Sequence, residues 1–490
     1  VTGSFAELQQ RLPAAWNLNR PGNTEPHVVI SLPSFSVGES LLSHYADRVP
    51  ALEHRYLLAC LMLGRIHNCR MAYVTCRDPG AAVVDYYMNL LPAERRDDAR
   101  SRLDVVVVDD SSSRSVATKL LDNRAAIEEL RSFVGDQPAF IEPWNVTDAE
   151  VAVALELQIP INGTDPSLWH TATKSSGRRL FAAVGVPLPE GLEDVHTVDD
   201  VLAAIASIRN RSPLATGVVI KHDDSGAGDG NATIDFANLP SNEVEAQWLL
   251  RQRVETLPEW YLRDLLLGGI VEERIVGEQF SSPSAQVDVA PDGGVVVLAT
   301  HEQVLGGPGN QVYLGCQFPA DPAYSPELAR HAHAIGERLA ALGVCGRFSL
   351  DFVAARTPGS AWRLYALEIN LRKGGTTHPY CVLRNLVPGS YDAESGVWWH
   401  TGGPSKFYCS TDNLISPNWL GLDPSDVIAA VTEAGLTFDG RAKTGVVLHM
   451  LSCLAVDGRL GLTAIAHSSQ EAIGLQEQTR QVVASLAAKR

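Results

Sequence analysis

The chain has 490 residues, 45% hydrophobic and 20% charged, the balance of a soluble globular protein long enough for roughly two to four domains. Its formal net charge of −17 argues against an extended nucleic-acid surface, which needs clustered Lys and Arg, while leaving room for a local anion site. Eight cysteines with no CxxC and no metal-ligand spacing, no apolar leader, and no apolar run near the roughly 18 residues of a membrane span point to a cytoplasmic protein with reduced thiols.

After a polar lead-in, residues 27–163 alternate short strands and helices. Strands are expected at His27–Leu32, Met71–Thr75, Leu103–Val108 and Ala139–Ile141, and helices at about 51–66, 80–90, 115–133 and 147–157. That order predicts a parallel sheet covered by helices. The turn from Pro33 to Ser40 is small and polar enough for an anion, but it lacks GxGxxG, so no dinucleotide site is expected; a plain connecting loop is the commoner use.

A second unit begins near Asn162-Gly163-Thr164, with a basic helix start at Lys174-Ser175-Ser176-Gly177-Arg178-Arg179 and a further helix at about 198–208. The strand Gly217–His222 carries Lys221 into a loop with Gly226, Gly228 and Gly230. Glycines let backbone N–H groups approach phosphate oxygens, and a lysine adds a point charge. An ordinary hairpin tip is the rival reading, favoured by Asp223, Asp224 and Asp229, which repel phosphate unless Mg²⁺ intervenes. Next, Val271-Glu272-Glu273-Arg274-Ile275-Val276-Gly277-Glu278 is an extended segment. It suits an adenine edge met by backbone and a ribose met by a carboxylate, or else an edge strand with solvated charges.

Thr300-His301-Glu302-Gln303 leads into a loop at Leu305–Asn310 that either closes over a site or is a surface turn; Glu302 is at most an amine base. Two alternating segments then read as a hairpin, 346–353 and 364–372, with the turn at Arg356–Ser360. Phe348, Leu350 and Phe352 with Leu367, Ile369 and Leu371 form the apolar face; Arg347, Ser349 and Asp351 with Glu368, Asn370 and Arg372 form the polar one. Symmetric pairing about the turn sets Asp351 against Glu368 and Arg347 against Arg372. Like charges directly opposite repel, so the pattern asks for counter-ions. Two carboxylates and an amide oxygen suit Mg²⁺, and two arginines suit phosphate or carboxylate. Beyond lie Gly374-Gly375-Thr376-Thr377-His378-Pro379, a candidate backbone anion site in which His378 is more often packed than catalytic, and Trp398-Trp399-His400, more often core than a stacking platform. The tail shows helical patterns at 424–434 and 469–487 around a strand-like Lys443–Leu451.

Taken in order over about 166–380, Lys174, Lys221 with its glycines, Glu272–Glu278, Arg347, Asp351 and Glu368-x-Asn370-x-Arg372 resemble the ATP-grasp superfamily. The tail, with Thr444–Leu451, resembles the family of the pheganomycin-biosynthetic peptide ligase. The resemblance implies an α/β (α+β) fold: an N-terminal parallel α/β domain (1–165), small lobes with the phosphate loop (166–275), a C-terminal lobe with the metal hairpin (276–410) and a C-terminal extension (411–490). It implies ATP and Mg²⁺ as cofactors. Lys174, Lys221 and the loop glycines 226, 228 and 230 would hold phosphates. The backbone around Glu273, Arg274 and Ile275 would read the adenine, Glu278 would take the ribose, and Glu272 would belong to the same nucleotide-binding segment. Asp351, Glu368 and Asn370 would carry the metal, with Arg347 and Arg372 catalytic.

The activity so implied is ATP-dependent joining of a carboxylic acid, through an acyl phosphate, to the amino end of a peptide in antibiotic or other natural-product biosynthesis. The donor would be a guanidino-phenylglycine-type acid, and kinship adds a homodimer. Rival readings are an ATP-grasp small-molecule kinase and a nucleotide-binding module without catalysis.

Overall fold

The computed structural model describes residues 4–37, 42, 43, 45–225, 230–307 and 312–489. The four expected N-terminal strands form one parallel sheet in the order Leu103–Val107, Cys69–Thr75, His27–Leu32, Ala139–Pro143. Val28, Ile30, Ala72 and Val74 pack with the helices Val116–Asp122, Arg124–Val134 and Asp148–Leu157. Val29, Met71 and Tyr73 pack on the opposite face, with Leu57, Leu61 and Tyr87. Burial on both faces explains why these strands read as apolar runs without alternation. The helix expected over 115–133 is two helices, because Asn123 leaves helical geometry and its side chain accepts the Ala126 N–H at 3.1 Å.

The second unit is an antiparallel sheet in the order Gly191–Leu192, Gly269–Glu273, Gly217–His222, Asn231–Asp235. Val201, Ile205 and Ile208 of helix Val198–Arg211 and Leu250 of helix Glu243–Glu255 cover its Val218, Ile220 and Val271. Gly269–Glu273 is therefore an inner strand, not the edge that its charges suggested.

A large antiparallel sheet makes the third unit. Its order is Arg363–Asn370, Gly346–Arg356, Pro283–Val289, Val295–Gly306, Val312–Phe318, Phe407–Ile415, Arg459–Ala466, Gly445–His449. Helix Ser325–Ala341 packs on the strands Pro283–Val289 and Val295–Gly306 and buries Leu328, Ala332 and Ile335 in the core that the apolar side of the hairpin shares. The tail is not appended to this sheet but supplies its far strands, and Phe407–Ile415 runs across the expected boundary between 410 and 411. The same core holds Leu57, Leu61 and Tyr87 of the first unit with Val447, Leu448 and Leu462 of the tail. Tyr86 Oη accepts the Leu448 N–H at 2.9 Å across that junction.

The hairpin departs from strict alternation at one residue. Ser349 pairs with Asn370, Leu350 with Ile369 and Asp351 with Glu368, but a bulge follows and Phe352 pairs with Ala366. Leu367 is thus expelled from the core it was expected to join, and Leu364 and Ala366 enter it instead. The irregularity lies on the turn side of Asp351, so the expected Asp351–Glu368 pairing survives. The expected pairing of Arg347 with Arg372 is absent from the ladder, because the second strand ends at Asn370.

Candidate active site

Residues directly opposite in neighbouring strands share one face of a sheet. Glu368, Asp351 and Ser284 form one such row, and Asn370, Ser349 and Gln286 the next. Asp288 and Arg347 form a third. Asp351 is gripped from both sides: Gln303 Nε2 donates to its Oδ1 at 2.9 Å and Asn370 Nδ2 to its Oδ2 at 2.9 Å. Burial and the facing Glu368 push the Asp351 carboxyl up to about 7, outweighing Arg372 and the two amides. Two carboxylates in register with an amide oxygen alongside form a hard oxygen-donor set that fits Mg²⁺.

The nearest cation to Glu368 comes from the second unit. Lys174, buried at the start of helix Lys174–Ala183, places Nζ 3.3 Å from Glu368 Oε1 and donates to the Ser225 carbonyl at 2.7 Å and its hydroxyl at 3.1 Å. The helix is capped by Thr173, whose hydroxyl accepts the Ser176 N–H at 3.3 Å, and Asp223 reaches in to accept the Ser175 N–H at 2.8 Å. One of the acids expected to repel phosphate is therefore engaged by a free N–H of that helix's first turn. Lys221 Nζ binds Glu272, and Arg178 Nη1 holds the other Glu272 oxygen at 2.9 Å. Glu272 is buried as the counter-ion that fixes Lys221, rather than being a free carboxylate.

Of the loop glycines, Gly226 and Gly228 lie outside the described residues. Gly230 closes the loop, since a Cβ there would meet Ser225 Oγ at 2.4 Å, and its carbonyl accepts the His222 N–H at 3.1 Å. Ser212 Oγ donates to Glu273 at 2.9 Å, and Arg274 Nη2 donates to Asp235 at 2.7 Å. The side chains of Glu272, Glu273 and Arg274 are thus engaged within the small sheet. Ile275 to Glu278 leave it as the segment linking the two sheets, with Glu278 exposed.

At the other end of the polar face, Arg372 lies over the Trp144 ring at 5.1 Å, and Phe35 stacks on Trp144 with ring centroids 4.2 Å apart. Neither aromatic was marked as a site residue by its sequence context. Arg347 donates to Cys381 Sγ at 3.4 Å, while its Nε has no partner among the described residues. Lys373 reaches back to Glu142, 2.6 Å away at the end of the parallel strand Ala139–Pro143, where Asn162 Nδ2 also donates at 2.8 Å. Burial alone would raise the Glu142 carboxyl, but Lys373 and Arg347 hold it below its ordinary value. The first unit thereby faces the arginines with a positioned acid.

Among the side candidates, His378, Trp398 and Glu302 are engaged within the fold. His378 is 1% exposed and bonds Asp412 at 3.1 Å. Trp398 is buried beside Tyr380, whereas Trp399 is exposed. Glu302 accepts from the Asp321 N–H at 3.0 Å and from Ser281 and Tyr324, which leaves it no access to the Asp351 face.

A family model described as the PGM1 C-terminal domain matches residues 426–479. The L-propargylglycine–L-glutamate ligase of Streptantibioticus cattleyicolor is 30% identical over 450 residues, spanning 88% of this chain and 90% of that protein. Two solved structures superimpose over nearly the whole length. Biotin carboxylase of Campylobacter jejuni, in a complex with beta-gamma-ATP, has a TM-score of 0.53 at 13% identity, covering 94% of this chain and 95% of that one. The biotin carboxylase domain dimer of Hydrogenobacter thermophilus 2-oxoglutarate carboxylase, with MgADP, ADP and bicarbonate, has a TM-score of 0.52 at 12% identity, covering 92% and 89%. With these two the likeness is one of fold.

Proposed function

From the premise that this chain belongs to the ATP-grasp superfamily and is an ATP-dependent carboxylate–amine ligase, we propose that it activates an amino-acid-like carboxylate and joins it to the amine of a peptide, with ATP and Mg²⁺ as cofactors. The observation that carries this is the registered Asp351–Glu368 pair with Asn370, flanked by Lys174 on one side and Arg372 on the other. Bound there, Mg²⁺ would neutralise phosphate charge as the γ-phosphoryl group moves to the carboxylate.

The chain's own residues supply the rest. Lys174 and Lys221, the latter held by Glu272, meet the nucleotide phosphates where the second sheet faces the third. The backbone of Glu273 to Ile275 lies along the adenine and Glu278 takes the ribose, since the side chains of Glu273 and Arg274 are already engaged. Arg372 and Arg347 orient the acid and then stabilise the oxyanion formed when the amine attacks the acyl phosphate. An acyl phosphate is labile to water, so the reaction needs a site from which water is kept out. A guanidino-phenylglycine-type donor, a role in antibiotic biosynthesis and a homodimer belong to the same proposal.

The test is phosphate release from ATP and Mg²⁺ with acid–amine pairs, led by a guanidino-phenylglycine and a short peptide. Release that needs both partners, with a condensed product by mass, establishes the reading. ADP with a stable phosphorylated product and no need for an amine would make the protein a kinase instead.

A further inference from the structure

Gln286 lies in the strand Pro283–Val289, directly opposite Ser349, which in turn is opposite Asn370. It therefore points to the same face as Asp351 and Arg347, in the row between them. It is 1% exposed, and neither Oε1 nor Nε2 has a partner among the described residues. An amide with both ends unsatisfied in a protein interior is costly, and a hydrophobic residue of similar size would pack there more cheaply. The row leads to the arginine: a Cβ at Gly374 would lie 3.6 Å from Ser349 Oγ and 4.0 Å from Arg372 Nη1. Beside it stand Arg347, with its unpartnered Nε, and Asp288 opposite that arginine.

A carboxamide offers an acceptor and a donor side by side, which matches the ammonium and carboxylate of an α-amino acid. The charges around it divide the same way, with Arg372 and Arg347 for the carboxylate and Asp288 for the ammonium. We propose that Gln286 is the residue that sets specificity for the acyl donor, on the polar face beside Arg347 and Arg372. Its oxygen accepts from the α-ammonium of an α-amino acid, and its nitrogen donates to that substrate's carboxylate. The assignment rests on the ligase reading and narrows its donor to acids that carry an α-amino group.

Hydroxylamine can stand in for the amine, attacking the acyl phosphate to give a hydroxamate and free phosphate, so that the donor alone is probed. The panel is the L-amino acids and 4-guanidinophenylglycine, each beside its des-amino acid. The full-length wild type should favour its best amino acid over the des-amino partner by roughly 100-fold or more in kcat/KM, as expected when a buried polar group is left unpaired. In Gln286→Met that ratio should collapse to within about tenfold. The variant should melt no lower than wild type, because it removes an unsatisfied group rather than a bond. Gln286→Glu, which keeps the acceptor, should retain preference for the amino acid. Equal ratios in wild type and Gln286→Met, or a large drop in melting temperature, would overturn the assignment. Absence of hydroxamate from the wild type with every acid would overturn the ligase reading itself, and this assignment with it.

Discussion

Asp351 keeps its proton up to about 7, against an ordinary value of 3.8, because it is buried and faces Glu368. In metal-free buffer the native state therefore binds more protons than the unfolded chain across that interval. Stability from this group is complete below about 4 and is lost as the pH rises through about 7. Melting curves in chelator should show wild type losing ground to Asp351→Asn between pH 5.5 and pH 8. Added Mg²⁺ should restore more stability at pH 8, where no proton competes for the site. A parallel pH dependence in both proteins would remove the carboxylate pair as its cause. Arg372 makes a different demand, since its planar guanidinium lies over Trp144. Arg372→Lys keeps the charge but loses the fork and the stacking. We expect kcat/KM for the acid to fall roughly 10- to 100-fold with ATP affinity unchanged. Equal activity would make the arginine structural.

Among the elements, the hairpin shows how a sound alternation pattern can mislead at one position. Phe348, Leu350, Phe352, Ile369 and Leu371 all reach the core as their period requires, but Leu367 does not, because the bulge lets two residues of its strand oppose one of the partner. A bulge is a backbone choice, and no side-chain pattern announces it. Denaturant titration should separate the two isoleucine and leucine positions cleanly. Ile369→Ala should cost about 2–5 kcal/mol as a core deletion, and Leu367→Ala about 1 kcal/mol or less. Comparable losses would place Leu367 in the core after all. The helix break at Asn123 is more readable in retrospect, since an Asn before a helical run is a familiar cap.

In the whole molecule, one buried carboxylate ties three regions together. Asp412, on a strand at the start of the tail, binds Arg55 of the first unit and His378 of the helix that follows the hairpin, with His449 Nε2 at 3.5 Å. Asp412→Asn would leave Arg55 charged and buried with a weaker partner, so unfolding free energy should drop by about 3–5 kcal/mol. Replacing both residues with apolar ones should recover most of it. If Asp412→Asn is neutral by denaturant titration, the network does not hold the tail to the first unit. The shared core, from Leu57 and Tyr87 to Val447 and Leu462, predicts that loss of the tail would expose apolar surface in the first unit as well.

The parallel strands of the first unit and the Asp351–Glu368 pairing were legible in the sequence, because each rests on local periodicity, whereas the order of lysines, acids and arginines was readable only as a resemblance to a family. The burial of Glu272 between Lys221 and Arg178 was not, since its partners lie 51 and 94 positions away. Nor was the aromatic bed under Arg372, which joins Phe35 and Trp144 of one unit to the end of a strand in another. The vacant amide of Gln286 gave no sequence signal, as it becomes significant only when register sets it beside Ser349. Sequence determines which chemistry a strand carries; only tertiary packing decides which of those groups meet each other and which are left to meet a substrate.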